Sequence, residues 1–411
     1  MDLPGLRTLP KPGAPGSSVL PAPGQRGHAT GHPFWAIGFR PFYLLAGVLA
    51  TLSIALWIAQ LADWTGGSTP LRGPFWHAHE MIFGYAFAVI VGFLFTAGRN
   101  WSGQPTPSRS TLALVVGLWL AARILVLTSW PLPAALADTA FAIAAAAGLG
   151  RPLIAARNRR NYFFIALLLA LGAANLCFHL AMAGLIALTA PRALQTGLDL
   201  LLFSMVVMGG RVIPMFTANG VPGTRPERLP WLERASLASV LTLLAADALD
   251  APLSVTGAVA AIAATAHCAR LALWQPWRTL GRPLVWILHA SYAWIVISLL
   301  LRALSSIDLL PASLATHAFT IGAVGGLTLG MMTRTARGHS GLRLEPGTLE
   351  TTAYLLLQLA VLVRVFVPLA APGQYLHAAI ASGIFWSLAF ALFTIRFWPV
   401  LLGPRLDGLD G

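Results

Sequence analysis

Long apolar runs dominate the chain, and short segments rich in proline, glycine and arginine separate them. A helix needs about 20 mostly apolar residues to cross a bilayer. Runs of that length predict twelve membrane-spanning helices, with the shortest connections after the third and the seventh. They cover residues 41–62, 75–98, 111–130, 132–149, 162–185, 193–216, 231–249, 251–273, 283–303, 311–333, 348–370 and 374–398. The predicted fold class is therefore an all-α, polytopic membrane protein.

The composition supports a membrane protein. Hydrophobic residues make up 57% of the chain and charged residues 10%, and the mean hydropathy is +0.72. A soluble globular protein carries about 25% charged residues, so this chain could not cover a soluble surface. Its two cysteines, Cys177 and Cys268, both lie in apolar runs. This excludes a disulfide framework and a thiolate zinc site.

The net charge of +13 would suggest a nucleic-acid partner in a soluble protein. Here the arginines lie between apolar runs, and no basic patch is interleaved with aromatic residues, so we expect no nucleic-acid partner.

The distribution of arginine between the connections predicts the topology. Predicted connections on one side of the membrane hold only Arg72, Arg192 and Arg302. The positive-inside rule then predicts that both termini are cytoplasmic.

The ends of the chain differ from its middle. Residues 1–33 are rich in proline and glycine, cannot bury a core, and are expected to form a disordered tail. No apolar stretch there leads to a small-residue cleavage site, so a removable signal peptide is not expected. The predicted organisation is this tail, one membrane domain over 34–403, and a short tail over 404–411.

Histidines are unusually frequent inside the predicted spans. Of ten, only His28, His32 and His339 lie clearly outside them. Imidazole is costly in lipid but is a good ligand for iron, copper and zinc. A single intramembrane histidine is as well explained by a hydrogen bond to a neighbouring helix, and we interpret His267 and His377 in this way.

One group of histidines is expected near the outer face. With the predicted orientation, spans 2, 5 and 10 place His77 and His79, His179, and His317 at one level, which predicts a metal or haem site. His77 and His79 point in nearly opposite directions on a regular helix, so one ion cannot bind both. Glu80 is expected to orient an imidazole or to relay protons.

The ligand types restrict the cofactor. No CxxCH motif is present, which excludes covalent c-type haem, and the lack of a cysteine set excludes iron–sulfur clusters. Histidines alone suit b-type haem, copper, or both. A second group, predicted toward the cytoplasm, could hold haem propionates through arginine. It contains Arg211, His267, His289, Arg334, Arg337 and His339, with glycines 209, 210, 325, 326 and 330 admitting a flat ring or a neighbouring helix.

Several segments together resemble one family, the bacterial NnrS proteins. They are GFRPFYLLA at 38–46, WHAHEMIFGYAFAVIVGFLFTAGRNW at 76–101, ARNRRN at 156–161, NLCFH at 175–179, GGRVIPMFTANG at 209–220, LHASYAW at 288–294 and HAFTIGAVGGLTLGMMTRTARGHSG at 317–341. The resemblance implies an inner-membrane protein of denitrifying and other bacteria that contains haem and copper and acts in the nitric oxide response.

The resemblance also implies roles for individual residues. The metal-ligand candidates are His77, His79, His179, His289 and His317. The candidates for haem propionates or the cytoplasmic mouth are Arg211, Asn219, Arg334, Arg337 and His339. Glu80 is the candidate proton carrier, and Asp199 is a second in-span carboxylate that we interpret more readily as the partner of a buried arginine.

The function expected first is the binding, detoxification or sensing of nitric oxide at haem, with copper nearby. Reduction of nitric oxide would require electrons from quinol or a partner protein, because the chain carries no electron-transfer domain. Two alternatives remain open. Twelve spans with both ends inside are also typical of a transporter or exporter, here of a metal, haem or a nitrosylated thiol. The other alternative is an assembly factor for a haem–copper enzyme.

Overall fold

The fold is a bundle of long helices. The computed structural model describes residues 32–64 and 73–407, and the predicted N-terminal tail lies outside them apart from its last two residues. The described residues form twelve long helices. They are α1 (Phe39–Leu61), α2 (Gly73–Ser102), α3 (Arg109–Leu125), α4 (Pro131–Ala155), α5 (Phe163–Met182), α6 (Ala190–Gly220), α7 (Pro230–Ala248), α8 (Leu253–Leu273), α9 (Pro283–Ser305), α10 (Ala312–His339), α11 (Thr348–Ala370) and α12 (Tyr375–Leu402).

Ten of these twelve helices are long and apolar enough to cross a membrane, which makes the protein a multi-pass membrane protein. The two others are α3, with 17 residues, and α7, whose 19 residues include Glu233, Arg234 and Asp247. The twelve predicted spans correspond in order to the twelve helices. Twelve crossings and two cytoplasmic termini stay predictions.

The predicted helix ends differ from the observed ones where hydrophobicity continues through a turn. The third span was predicted to reach residue 130, but α3 ends at Leu125. Trp130 precedes Pro131 and has φ −107° and ψ 75°, because the proline ring disfavours helical backbone in the residue before it. Conversely, α6 continues through Pro214 to Gly220, beyond the predicted end at 216.

Two helices contain a π-helical segment that starts directly after a histidine. In α2 it covers Glu80–Ala86 and follows His79; in α10 it covers Ala318–Gly325 and follows His317. Such wide turns are rare and occur frequently at functional sites. Both histidines had been singled out from the sequence, whereas the π turns had not.

The glycines of the second predicted group make room for side chains of neighbouring helices. An added Cβ would lie 1.7 Å from Arg270 Nη2 at Gly210, 2.0 Å from Ser291 Oγ at Gly326, and 2.5 Å from the Trp386 ring at Gly325. At Gly209 and Gly330 an added Cβ would lie 3.1 Å from the Tyr292 ring and 2.9 Å from a Leu288 methyl group. The structure thus favours helix packing over a flat ring at these glycines.

Candidate metal centre

Three helices bring two histidines and an aspartate together inside the bundle. His79 lies on α2, Asp138 on α4 and His179 on α5, and one ligand atom from each lies within 4.8 Å of the other two. The side chains of His79 and Asp138 are 1% exposed and that of His179 is 10% exposed. Two imidazoles and one carboxylate form a donor set that iron, copper and zinc accept.

The three side chains converge on one carboxylate oxygen. Asp138 Oδ2 lies 3.0 Å from His179 Nε2 and 3.5 Å from His79 Nε2. The two imidazole rings have centroids 5.0 Å apart and planes at 72°. Both Nε2 atoms thus face the same oxygen, so a small ion could contact all three side chains after modest movement.

Two neighbours fix the orientation of His79. Glu80 Oε1 lies 2.9 Å from its Nδ1, and Asn175 Oδ1 lies 2.8 Å from its Nε2. A carboxylate on the far nitrogen of an imidazole selects the tautomer and makes the ring a stronger metal ligand. Glu80 thus contacts the imidazole that it was expected to orient, and the role itself stays a prediction.

One arginine joins the two carboxylates of the site. Arg123 Nη1 donates to Glu80 Oε1 at 2.7 Å, and its Nη2 donates to Asp138 Oδ1. One guanidinium against two buried carboxylates leaves a surplus negative charge when both histidines are neutral. Because an uncompensated charge is costly in a low-dielectric interior, this site favours one further positive charge. That charge is either a bound metal ion or a proton on His79, both of whose nitrogens face oxygen atoms.

The π turn of α2 makes room for this arginine. An added Cβ at Gly84 would lie 2.8 Å from Arg123 Nη1 and 3.0 Å from Glu80 Oε2. Trp119, one turn before Arg123 on α3, donates its indole N–H to the Gly84 carbonyl at 2.9 Å. A glycine is therefore required at this position if Arg123 is to reach both carboxylates.

Asp138 is the ligand candidate that the sequence analysis missed. Only Glu80 and Asp199 were considered among the in-span carboxylates, although Asp138 lies within the predicted span 132–149. Its neighbours are mostly alanine, and no motif marks it. Its position inside a predicted span could still have identified Asp138, because a carboxylate at membrane depth is a functional candidate by default.

His77 lies on the opposite side of α2, as predicted. Its ring stacks on Trp57 of α1, with centroids 5.1 Å apart and planes at 6°. His77 and His317 lie near each other and near Arg364 of α11. The predicted single level of histidines therefore divides into two groups, His79 with His179 and His77 with His317.

The second group has two polar features suited to a ligand. The carbonyl of Ser313 lies 2.7 Å from His317 Nδ1 and accepts its N–H, which leaves Nε2 with the free lone pair. Arg364 Nη2 donates to Tyr375 Oη at 2.7 Å. Its other terminal nitrogen, Nη1, is buried and has no hydrogen-bond partner among the described residues.

The remaining predicted residues do not come together in one site. His289 Nε2 lies 2.7 Å from Thr217 Oγ1, Arg211 donates to Asn161 Oδ1 at 2.8 Å, and Arg334 covers the Phe216 ring at 3.7 Å. Arg337 donates to Glu350 Oε1 at 2.5 Å, Asn219 is exposed, and the His339 ring lies 5.7 Å from that of Phe39. Their predicted contacts with haem propionates stay predictions.

The two histidines interpreted as structural have ordinary surroundings. His267 is fully buried, and its Nδ1 lies 2.7 Å from Tyr292 Oη. His377 is exposed at the start of α12. Neither belongs to the convergent donor set.

The fold and the buried donor set define a multi-pass membrane protein with a candidate transition-metal centre. A family model described as "NnrS protein" matches residues 33–405. The chain therefore belongs to the NnrS family, and the match extends beyond the motifs at 38–341. A search of curated proteins found no match.

Proposed function

We propose that this protein acts in the nitric oxide response of the bacterial inner membrane and binds or detoxifies nitric oxide at an intramembrane metal centre. The convergence of His79, Asp138 and His179 within 4.8 Å carries the proposal, and membership of the NnrS family supports its link to nitric oxide. Nitric oxide is small, neutral and soluble in lipid, so a site inside the bundle needs no loop-built entrance.

The metal proposed for this centre is copper. Two imidazoles and a carboxylate suit it, and bound copper supplies a coordination position for nitric oxide. Glu80 holds the His79 ring in place, while Arg123 pairs with both carboxylates and fixes their positions beside the two histidines. Glu80, in contact with both the imidazole and the guanidinium, is the residue placed to carry a proton toward the centre.

Haem does not fit the same place. The Phe178 ring stacks on His79 with centroids 4.8 Å apart, and the His179 ring lies 5.0 Å from it. A small ion would need to displace only Asn175 Oδ1 from Nε2, whereas a flat macrocycle would have to displace these rings as well. The second group fits better, because His317 offers a free Nε2 and Arg364 has an orphaned buried nitrogen suited to a propionate. We therefore place haem b with His317 and His77; haem supplies an iron that binds nitric oxide.

The copper assignment predicts which histidine variants of the protein lose copper and which keep it. The purified protein should hold about one copper per chain, and His79→Ala or His179→Ala should lose most of it, because each removes one of three ligands. His377→Ala, at an exposed position on α12, is the matched control and should keep it. Elemental analysis measures the metal, and electron paramagnetic resonance reports its nitrogen ligands. Full copper in both ligand variants would refute the centre, and metal well below one per chain would favour a transporter.

The haem assignment predicts that a different set of histidine variants loses its cofactor. His317→Ala should lose most of the reduced b-type absorption, whereas His79→Ala and His289→Ala should keep it. Nitric oxide should shift the spectrum of the wild type but not that of His317→Ala. Reduced and nitric oxide-exposed optical spectra measure both effects. A haem spectrum that survives in His317→Ala and disappears in His289→Ala would move haem to the other group.

The role in nitric oxide handling is tested separately. Consumption of nitric oxide with a quinol as electron donor should fall in both His79→Ala and His317→Ala. A strain that carries either variant should grow more slowly under nitrosative stress than one with the wild type. If both variants protect as well as the wild type, the metal centres are not the basis of the function.

A further inference from the structure

A large cavity has both polar and apolar residues in its lining, and none of the four histidines of the two groups is among them. Its volume is about 540 Å³, and it is bounded by residues of α6 to α10, whereas a water molecule occupies about 30 Å³ in the liquid. Asp250 and Asp308 are exposed at its rim, and Asp199, only 2% exposed, lies in its wall. The cavity therefore gives water a path to a buried carboxylate.

Asp199 is incompletely paired. Its Oδ1 accepts hydrogen bonds from Gln195 Nε2 at 3.0 Å and from Arg302 Nη1 at 3.3 Å. Its Oδ2 is buried and has no hydrogen-bond partner among the described residues. The sequence analysis expected Asp199 to pair with an arginine, and Arg302 is that arginine, but the pairing leaves one oxygen unsatisfied.

The arginine is held mainly by a second aspartate. Arg302 Nη2 lies 2.5 Å from both carboxylate oxygens of Asp247, and its Nη1 lies 3.3 Å from Asp199 Oδ1, so the two carboxyl groups flank the same guanidinium. One guanidinium thus faces two carboxylates. Asp199 is buried and the Asp247 side chain is 13% exposed, and two carboxylates that share one positive charge carry one surplus negative charge.

The other walls of the cavity supply no second cation. From α8 and α10 it is lined by Thr256, Thr316 and Phe319, which carry no charge. At the rim, Asp308 adds a negative charge, and Asp250 forms an ion pair with Arg192, which is not in the lining. The surplus charge of the aspartate pair therefore has no compensation from the described lining residues.

We propose that Asp199 and Asp247 together bind one proton and exchange it with water in the cavity. A proton bound by the pair removes the surplus charge, and on Asp199 Oδ2 it occupies the one carboxylate oxygen of the pair that has no hydrogen-bond partner among the described residues. In uptake, a hydronium ion in the cavity gives its proton to Oδ2, a new O–H bond forms, and neutral water remains. Release reverses these changes, so no oxidant or reductant is involved.

A metal ion is less suited to this place. Both oxygens of Asp247 are bonded to the guanidinium, so within the pair only Asp199 Oδ2 remains as an unshared carboxylate oxygen. Hard cations such as calcium take six to eight oxygen ligands and magnesium takes six. A proton needs only one donor and one acceptor, which the pair provides. The inference does not depend on the metal centres.

Infrared difference spectroscopy on the full-length protein in detergent tests the proposal. At neutral pH the wild type should show the C=O band of a protonated carboxyl group that is missing in Asp199→Asn. The band should also be missing in Asp247→Asn, because a single carboxylate beside Arg302 forms a neutral pair and needs no proton. Asp308→Asn, at the exposed rim, is the matched control and should keep the band. Transfer to D₂O should shift the band promptly.

Three results would overturn the proposal. A wild-type spectrum identical to that of Asp199→Asn in the carboxyl region would mean that the pair holds no proton. A band that survives in Asp247→Asn would mean that Asp199 is protonated without its partner. A band that does not shift in D₂O, under conditions in which exposed groups exchange, would mean that the cavity does not connect the pair to water. A circular dichroism spectrum of each variant confirms that it is folded.

Discussion

Arg123→Gln should lower the free energy of unfolding of the metal-free protein by about 3–5 kcal/mol, the range for removing one partner of a buried ion pair. The reason is the double pairing of this guanidinium with Glu80 and Asp138. Both carboxylates are at most 2% exposed, so without Arg123 they would remain charged in a nearly anhydrous interior. Bound metal should restore part of the loss, because a cation at His79 and His179 would partly replace the missing charge.

Denaturant unfolding in mixed micelles, with and without copper, measures this effect. Arg334→Gln is the matched control: its guanidinium covers the Phe216 ring, no ion pair with a carboxylate is found for it among the described residues, and its loss should cost about 1 kcal/mol or less. Asp138→Asn separates the two roles of the site. It keeps a neutral Arg123–Glu80 pair and should be more stable than Arg123→Gln, yet it should lose the metal. Equal stability of Arg123→Gln and wild type would show that the network carries little energy.

Gly172→Ala should weaken metal binding although it changes no ligand. An added Cβ at Gly172 of α5 would lie 2.4 Å from the Cβ of Ala142 of α4, and neither atom has a rotamer that avoids the contact. The helices must therefore move apart. Ala142 lies one turn from Asp138, and Gly172 lies one and two turns from Asn175 and His179 on the same face. Separation of the helices would draw Asp138 away from His179.

Gly172→Ala should lower the free energy of unfolding by about 1–3 kcal/mol, as at other overpacked sites. It should also lower copper affinity roughly tenfold or more, the size found when supporting contacts of metal ligands are disturbed. Copper titration and thermal unfolding measure both. Gly117→Ala on α3 is the control, because nothing lies within 4 Å of a Cβ built there. It should be neutral or slightly stabilising. If Gly172→Ala bound copper as tightly as Gly117→Ala, the α4–α5 contact would not set the geometry of the centre.

Much of the architecture could be read from hydropathy alone. The order of the twelve helices, the membrane class and the family all follow from apolar runs and from motifs that are contiguous in the chain. The opposite directions of His77 and His79 also followed from the sequence, because they depend only on the angle between residues two apart in one helix. Such properties are local and need no knowledge of neighbouring helices.

The sequence does not show which polar side chains of different helices contact one another. Each helix can rotate about its axis and shift along it without any change in its hydropathy, and those two freedoms decide which polar side chains meet. Asp138 lies with His79 and His179, Arg123 pairs with Glu80, and His317 lies near His77, and each of these contacts joins residues of different helices. The π turns after His79 and His317 further change the directions in which the side chains of α2 and α10 point. No residue pattern in the sequence predicted these turns.

Composition and pattern thus determined that this is a helical membrane protein with ligand-type side chains at membrane depth, because burial in lipid acts on each segment separately. The tertiary structure decided which of those side chains form a donor set, which arginine compensates which carboxylate, and whether a glycine admits a cofactor or a neighbouring helix. These outcomes depend on distances of a few ångströms between helices, which only the packing of the whole bundle determines.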